Sequence, residues 1–231
     1  MQISKLNILY IEPFYVGSHK KWIDTYKKYS SHNISILSLP GKKWKWRMHG
    51  GAITLAKMYN DLNKNFDLII CSDMLNLPVF KSLSNNIQSI KTIMYFHENQ
   101  LSYPWSPLDK DLVLKRDLHY HYINYTSSLV SDYNYFNSQY HLDSYIKGLK
   151  KYLKKMPDLR NQDTIDTIYK KSCSLPIGCN LKYFKKLKIK TPIILWNHRW
   201  EYDKNPELFF KILFRLKNKK INFKLIVLGE K

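Results

Sequence analysis

Cysteine is scarce in this chain of 231 residues: Cys71, Cys173 and Cys179 are the whole set, with no CxxC pair. An odd, widely spaced set excludes a disulfide framework and argues against a zinc site. Cys71 lies in an apolar run and is expected to be a small core residue. Long apolar runs are also missing. The N-terminal run stops at Ile11, before Glu12-Pro13, which is too short for a secretory leader, and no later run approaches membrane-spanning length. The expectation is a soluble protein of a reducing compartment, the cytoplasm. Gly17 stands without a second or third glycine, so the dinucleotide fingerprint GxGxxG is absent, as are a P-loop, HExxH and the G-x-S-x-G elbow. Acidic residues are the last deficit: 18 Asp and Glu face 38 Lys and Arg, for a net charge of +20. That imbalance points to a polyanionic partner, whether nucleic acid, an anionic membrane surface or phosphorylated ligands. An AT-rich coding bias toward Lys, Asn, Ile and Tyr is the competing explanation.

Short apolar runs alternate with helical periodicity along the chain. Strands are expected at Leu6–Ile11, Ile34–Leu39, Asp67–Cys71, Ile90–Phe96, Leu129–Phe136 and Ser172–Leu175. Helices are expected from Ser18, a good cap, through Tyr29; from after His49-Gly50-Gly51 to about Leu62; from Asp109 to Ser127; and from Asn137-Ser138 to Leu153. Leu112, Leu118, Tyr122 and Tyr125 are the inward candidates of the third of these. The polar stretch Lys154–Asp166 reads as a mobile loop. A basic linker, residues 181–190, precedes a second strand-helix-strand unit from Ile193 to Leu228. Its first strand, Ile193–Trp196, reads as buried. Asn205 caps the helix, Pro206 suits its first position, and Glu207 lies in its first turn. Alternation of this kind implies parallel sheets built from βαβ units. The expected domains are 1–180, a complete Rossmann-like unit, and 191–231, which offers only two strands and one helix.

Four stretches carry candidate chemistry. Arg199 and Lys204 sit on a loop between a strand end and a helix N-terminus, where anions are favoured; solvated surface charges are the plainer reading. His97-Glu98-Asn99-Gln100 directly follows a strand, where His97 can donate to a sugar hydroxyl and Glu98 accept from one; loop hydrogen bonds are the alternative. Lys42-Lys43-Trp44-Lys45-Trp46-Arg47 interleaves cations, which grip phosphate, with rings, which stack on bases; a solvated loop with packed tryptophans is the alternative. Gly17-Ser18-His19 opens the first helix and lets backbone approach a ligand, or is a simple turn and cap. Asp109-Lys110-Asp111 spells the DxD that holds a metal in another sugar-transferase architecture, but helix capping explains it better here. His119 and His121, two apart on a helix, face different sides.

Together the segments PFYVGSHKKWID, LPGKKWKWRMHGGA, YFHENQLSYP, FNSQYHLDS, PIGCNLKYF and ILWNHRWEYDKNPE resemble the tRNA-queuosine alpha-mannosyltransferase family, within the GT-B-type retaining glycosyltransferases. The resemblance runs from about Leu6 to the last residue. It implies a GT-B-like α/β fold, with a complete N-terminal Rossmann-like domain and the start of a second, donor-binding one. It implies GDP-mannose or another nucleotide sugar as donor, tRNA as acceptor, and neither cofactor nor metal. Arg199 and Lys204 match the pair that holds the donor diphosphate. His97 matches the residue that contacts the transferred sugar. Gly17, Ser18 and His19 match the loop that closes over the diphosphate. His97, Arg199 and Lys204 are the expected catalytic set, Glu98 an added donor contact, and Lys42–Arg47 the expected RNA contact. Related enzymes carry two glutamates eight positions apart later in the second domain, whereas this sequence reaches Glu230-Lys231 without such a pair. The expectation is therefore a truncated transferase. A lipid or glycan acceptor, and a non-catalytic tRNA-binding remnant, remain the rival readings.

Overall fold

The computed structural model describes residues 4–114, 116–178, 188 and 190–229. Cys179, Asn180, most of the 181–190 linker and Glu230-Lys231 lie outside the described residues. The chain divides into two compact units, one of residues 1–103 and 111–177, the other of 104–110 and 178–231. Association of 104–110 with the second unit has no counterpart in the sequence expectations.

The first unit is a six-stranded parallel sheet of order β2-β1-β3-β4-β5-β6. Its strands are β1 (Asn7–Tyr15), β2 (Asn33–Pro40), β3 (Leu68–Ser72), β4 (Lys91–Phe96), β5 (Tyr133–Phe136) and β6 (Ser172–Ser174). Strand order reverses at β1, which pairs with β2 on one side and β3 on the other. In open α/β sheets the crevice at such a reversal is where ligands bind.

Alternation along the strands sorts the core into two layers. Leu9, Ile11, Ile69, Cys71, Met94, Phe96 and Phe136 face one side. There they meet α2 (Trp44–Asn60), α3 (Leu77–Leu83), α5 (Asp117–Val130), α6 (Gln139–Lys154) and α7 (Thr164–Lys170). Ile8, Tyr10, Ile70 and Tyr95 face the other side, where Ile23, Trp22 and Tyr26 of α1 (Gly17–Tyr29) cover them. Among the described residues no other helix packs on that second layer. Phe96 stacks on Phe136 at 4.6 Å, and both reach Tyr145 at 5.1 Å. Burying each such side chain contributes about 1.5–3 kcal/mol. The sequence expectation for Cys71 holds: it is fully buried, and burial pushes its thiol pKa up.

Several boundaries differ from the sequence reading. β1 runs past Pro13 to Tyr15, with a register shift between Glu12 and Tyr15 that accommodates the proline. Helix α1 is capped by Val16 without a side-chain bond, so Ser18 is not the cap; it opens at Gly17, whose φ of +54° suits glycine. Helix α2 starts at Trp44 and runs straight through Gly50-Gly51. The expected 109–127 helix is two: α4 (Lys110–Val113) and α5, which continues to Val130, so β5 begins only at Tyr133. Leu112 and Tyr122 are exposed, and the inward residues of α5 include Tyr120, Ile123 and Tyr125. Part of the expected 154–166 loop is the start of α7. Ser138 caps α6, accepting from the His141 amide at 3.1 Å.

Gly148 interrupts α6 where glycine costs about 1 kcal/mol against alanine. The reason is close packing: a Cβ there would lie 2.9 Å from Cβ of Leu101.

In the second unit, β7 (Ile193–Asn197) pairs in parallel with β8 (Lys224–Leu228), joined through α8 (Pro206–Asn218). Asn205, with φ of +50°, caps α8 by accepting from the Leu208 amide at 3.3 Å, and Pro206 takes its first position. The strand is not buried as expected. Ile193 and Leu195 are exposed, as is all of β8, and Trp196 and Leu213 are the buried apolar side chains among the described residues of this unit.

Candidate active site

At the C-terminal edge of the first sheet, alternation brings three polar side chains to the α1 face. Glu12 and Ser72 follow Tyr10 and Ile70 by two positions in β1 and β3, and His97 follows Tyr95 by two at the end of β4. Glu12 is fully buried. Its Oε1 accepts from Ser72 Oγ and the Phe14 amide, both at 2.9 Å, and its Oε2 lies 3.0 Å from His19 Nδ1. His19 comes from the first turn of α1 and is itself buried. The ring of His97 lies 4.4 Å from that of His19, and Trp22 packs edge-on against it at 5.1 Å.

The backbone at His97 is pinned from both neighbouring strands. Asp73, the residue after β3, accepts from the His97 amide at 2.9 Å. Asn137, the residue after β5, donates to the His97 carbonyl at 2.7 Å, and its Oδ1 lies 3.0 Å from His141 Nδ1. Asn124 of α5 supports both sides of the loop, donating to the Asp73 carbonyl and accepting from the Gln100 amide, each at 2.8 Å.

Electrostatics separate the two imidazoles. Burial alone pulls His19 down, but the Glu12 carboxylate, helped by Asp73 and Glu98, outweighs it and raises the pKa to about 9. Burial lowers His97 to about 3, with the charges of His19 and His141 acting in the same direction. At neutral pH His19 is an imidazolium held by a carboxylate, and His97 is a neutral ring. The Nε2 of His97 is buried with no hydrogen-bond partner among the described residues. Burial raises Asp73 to about 7, opposed by His19 and reinforced by Glu98. A neutral ring with an open nitrogen suits a hydroxyl-bearing ligand, which can both donate and accept. Among the described residues no cluster of His, Cys, Asp or Glu is arranged to hold a metal ion.

The structure thus brings together His19 and His97, with Gly17 and Ser18 at the start of α1; Glu98 follows His97 and acts on the charge of His19. Glu12, Asp73, Trp22 and Asn137 complete the group, and none was singled out from sequence. Two signals were available: an acid at the end of a strand's apolar run, and an Asp in the same place after β3 as His97 has after β4.

Arg199 and Lys204 belong to the second unit. Lys204 Nζ pairs with Asp203 Oδ2 at 2.7 Å, and this contact, with Arg199 nearby, holds the Asp203 carboxyl below its usual range. Trp200, between the two in the chain, stacks on Phe210 at 5.8 Å.

The Lys42–Arg47 segment is not one loop. Lys42 and Lys43 are exposed, Lys43 with a left-handed φ of 53°, while Trp44 to Arg47 form the first turn of α2. Trp44 packs on Tyr120 at 5.2 Å, and Trp46 stays 65% exposed. Lys45 pairs with Asp111 at 2.6 Å, and Tyr120 donates to the same carboxylate at 3.1 Å. The second Asp of the DxD is an ion-pair partner in the first turn of α4. The rings of His119 and His121 contact His49 and Tyr152 respectively, on different sides of α5.

A family profile described as tRNA-queuosine alpha-mannosyltransferase N-terminal matches residues 7–179. The chain is 33% identical over 243 aligned positions to the tRNA-queuosine alpha-mannosyltransferase of Drosophila melanogaster, covering 100% of this chain and 63% of that relative. No helix among the described residues is long and apolar enough to cross a membrane. The match covers the whole six-stranded unit with its Glu12–His19–His97 group, and the chain belongs to the tRNA-queuosine alpha-mannosyltransferase family.

Proposed function

We propose that this chain acts in the retaining transfer of mannose from GDP-mannose to a hydroxyl of queuosine in tRNA, as the first part of a GT-B transferase. The observation that carries the reading is the pinned, neutral His97, with an unpartnered Nε2, beside a protonated His19 at the reversal point of the sheet. His97 takes a hydroxyl of the transferred sugar, and Glu98 accepts from another. The Gly17–His19 turn approaches the diphosphate, with the His19 charge balanced by Glu12. Within the second unit, Arg199 and Lys204 are the cations suited to a diphosphate, and the N-terminus of α8 adds a favourable dipole.

In the transfer, the bond between sugar C1 and the diphosphate oxygen breaks, and its electron pair leaves with GDP. The acceptor oxygen bonds to C1 on the same face and gives its proton to the leaving phosphate. Fixed cations stabilise the charge that develops on that phosphate. Lys42, Lys43 and the exposed Trp46 contact RNA, supported by the +20 charge and by the name of the fly relative.

The test is transfer of radiolabelled mannose from GDP-mannose to queuosine-containing tRNA by a version extended over the part of the fly relative that this chain does not cover, with the fly relative run alongside. Alpha-linked label in the tRNA is the expected result. Label entering lipid or glycan instead, or no label in tRNA while the fly relative produces it, overturns the reading. Arg199→Ala is expected to weaken GDP binding at least tenfold by calorimetry; unchanged binding removes the phosphate role.

A further inference from the structure

Helix α6 is two-sided. His141, Leu142, Tyr145, Leu149, Tyr152 and Leu153 are buried. Its outer face carries Lys147, Lys150, Lys151 and Lys154, followed at once by Lys155, all exposed. One acid, Asp143, stands on that face, and it accepts from Gln139 at 2.9 Å. None of the five lysines forms an ion pair with a described residue. Spacings of three and four place Tyr140, Lys147, Lys151 and Lys154 along one line of the helix, roughly 20 Å from end to end. Tyr140, at the start of this line, is 83% exposed.

Beside the line runs a groove of about 420 Å³, with Leu101 and Ser102 on one wall and Tyr140, Ser144, Lys147 and Lys151 on the other. The first wall is the loop that begins at His97. It is held against the helix because Gly148 has no side chain to displace Leu101, and because the hydroxyls of Ser102 and Ser144 lie 3.3 Å apart. The groove is thus continuous in the chain with the candidate active-site loop.

We propose that this face of α6 is a second RNA-binding surface, in which Lys147, Lys151 and Lys154 track the phosphate backbone of tRNA and Tyr140 stacks on an exposed base. The inference rests on the tRNA reading above, but none of the segments that carry the resemblance contains these lysines. Charge complementarity to a polyanion is direct. A membrane surface fits less well, since a helix lying on lipid presents Trp, Phe or Leu outward, and the Leu side chains of α6 turn inward.

The probe is an unmodified tRNA transcript, titrated by fluorescence anisotropy between 50 and 200 mM salt against the whole chain. In a Lys147→Gln, Lys151→Gln, Lys154→Gln variant, affinity is expected to fall at least tenfold at the low-salt end. The slope of log K against log salt should flatten by about 2, since each phosphate contact contributes roughly 0.7 to 0.9. Tyr140→Ala should weaken binding with the slope unchanged. If the wild type binds and the triple variant binds equally, this surface is wrong while the tRNA reading stands. An equal loss on neutralising Lys217, Lys219 and Lys220 also overturns it, because net charge alone would then explain binding. If the wild type ignores tRNA, or prefers phosphatidylserine vesicles in flotation, the tRNA reading falls and this surface with it. All six lysines are exposed, so the variants test binding and not folding.

Discussion

Replacing Glu12 by glutamine keeps the shape of the buried side chain and the acceptor for Ser72 and Phe14, but removes the charge that holds His19 protonated. In the wild type His19 titrates at about 9 against an ordinary 6.5. That interval corresponds to about 3 kcal/mol of preference for the charged form. Because the folded-state value is raised, the stabilisation is fully present below pH 6.5 and is lost as pH rises to about 9 and beyond. In Glu12→Gln burial is opposed only by the lesser charges of Asp73 and Glu98, so His19 should titrate well below 9, back toward 6.5. Asp73 should not fall from about 7, because the His19 charge that lowers it acts more strongly than the Glu12 charge that raises it, and both are lost. Two-dimensional NMR titration of the imidazole nitrogens reads His19 directly. Urea unfolding at pH 6 and pH 9.5 reads the linkage, and the wild type should lose about 3 kcal/mol more than the variant between them. A wild-type His19 that titrates below 7, or equal losses in the two proteins, refutes the assignment of His19 as a carboxylate-held imidazolium.

Three further outcomes follow from packing and backbone geometry. Phe80→Ala, at a fully buried ring 5.6 Å from that of Tyr59, should cost about 3–5 kcal/mol in urea unfolding, and a loss under about 1 would contradict the core described. Gly148→Ala should lower Tm despite the better helix propensity of alanine, with Leu101→Gly, which removes the Cβ it would strike, relieving the effect; a higher Tm in the single variant would exclude the tight contact. At Asn205, with its left-handed φ and its cap bond, glycine should cost a few tenths of a kcal/mol and alanine about 1 or more. Hydrogen exchange in the first turn of α8 ranks the two, and the reverse order would sink the cap.

Periodicity located the strands of the parallel sheet, because the apolar runs of the central ones, β1, β3 and β4, are largely buried and end at polar residues. Strand endings were harder. Pro13 looks like a stop, yet β1 absorbs it through a register shift that two parallel neighbours tolerate. Gly50-Gly51 looks like a break before a helix, yet α2 passes through, since a Cβ on Gly50 would strike the Trp46 ring and one on Gly51 would crowd Pro13. Leu129-Val130 looks like strand, but the hydroxyls of Ser128 and Ser131 bond back to carbonyls in the last turn of α5 and its cap.

The candidate site was half legible. His97 and His19 stand out as polar residues after strands or at a helix start. Glu12 needed the count of two from Tyr10, which assigns it to the α1 face, and a partner on that face that no local spacing shows. Lys45 marks the opposite failure. It reads as a free cation, and the fold spends it on Asp111, which is distant in sequence.

The thin cover on one face of the sheet has a consequence for how the protein opens. Helix α1 anchors itself with His19 and Ile23, while α6, on the other face, buries six side chains. Free energies of local opening track such burial, so α1 detaches from the sheet before α6 in sub-global fluctuations. Each detachment carries His19 off Glu12 and uncovers His97, while the five-helix layer beneath keeps the sheet intact. Amides of α1 would therefore exchange with solvent well before those of α6. The group around His97 would be assembled and dismantled as one cooperative unit, on a clock separate from global unfolding.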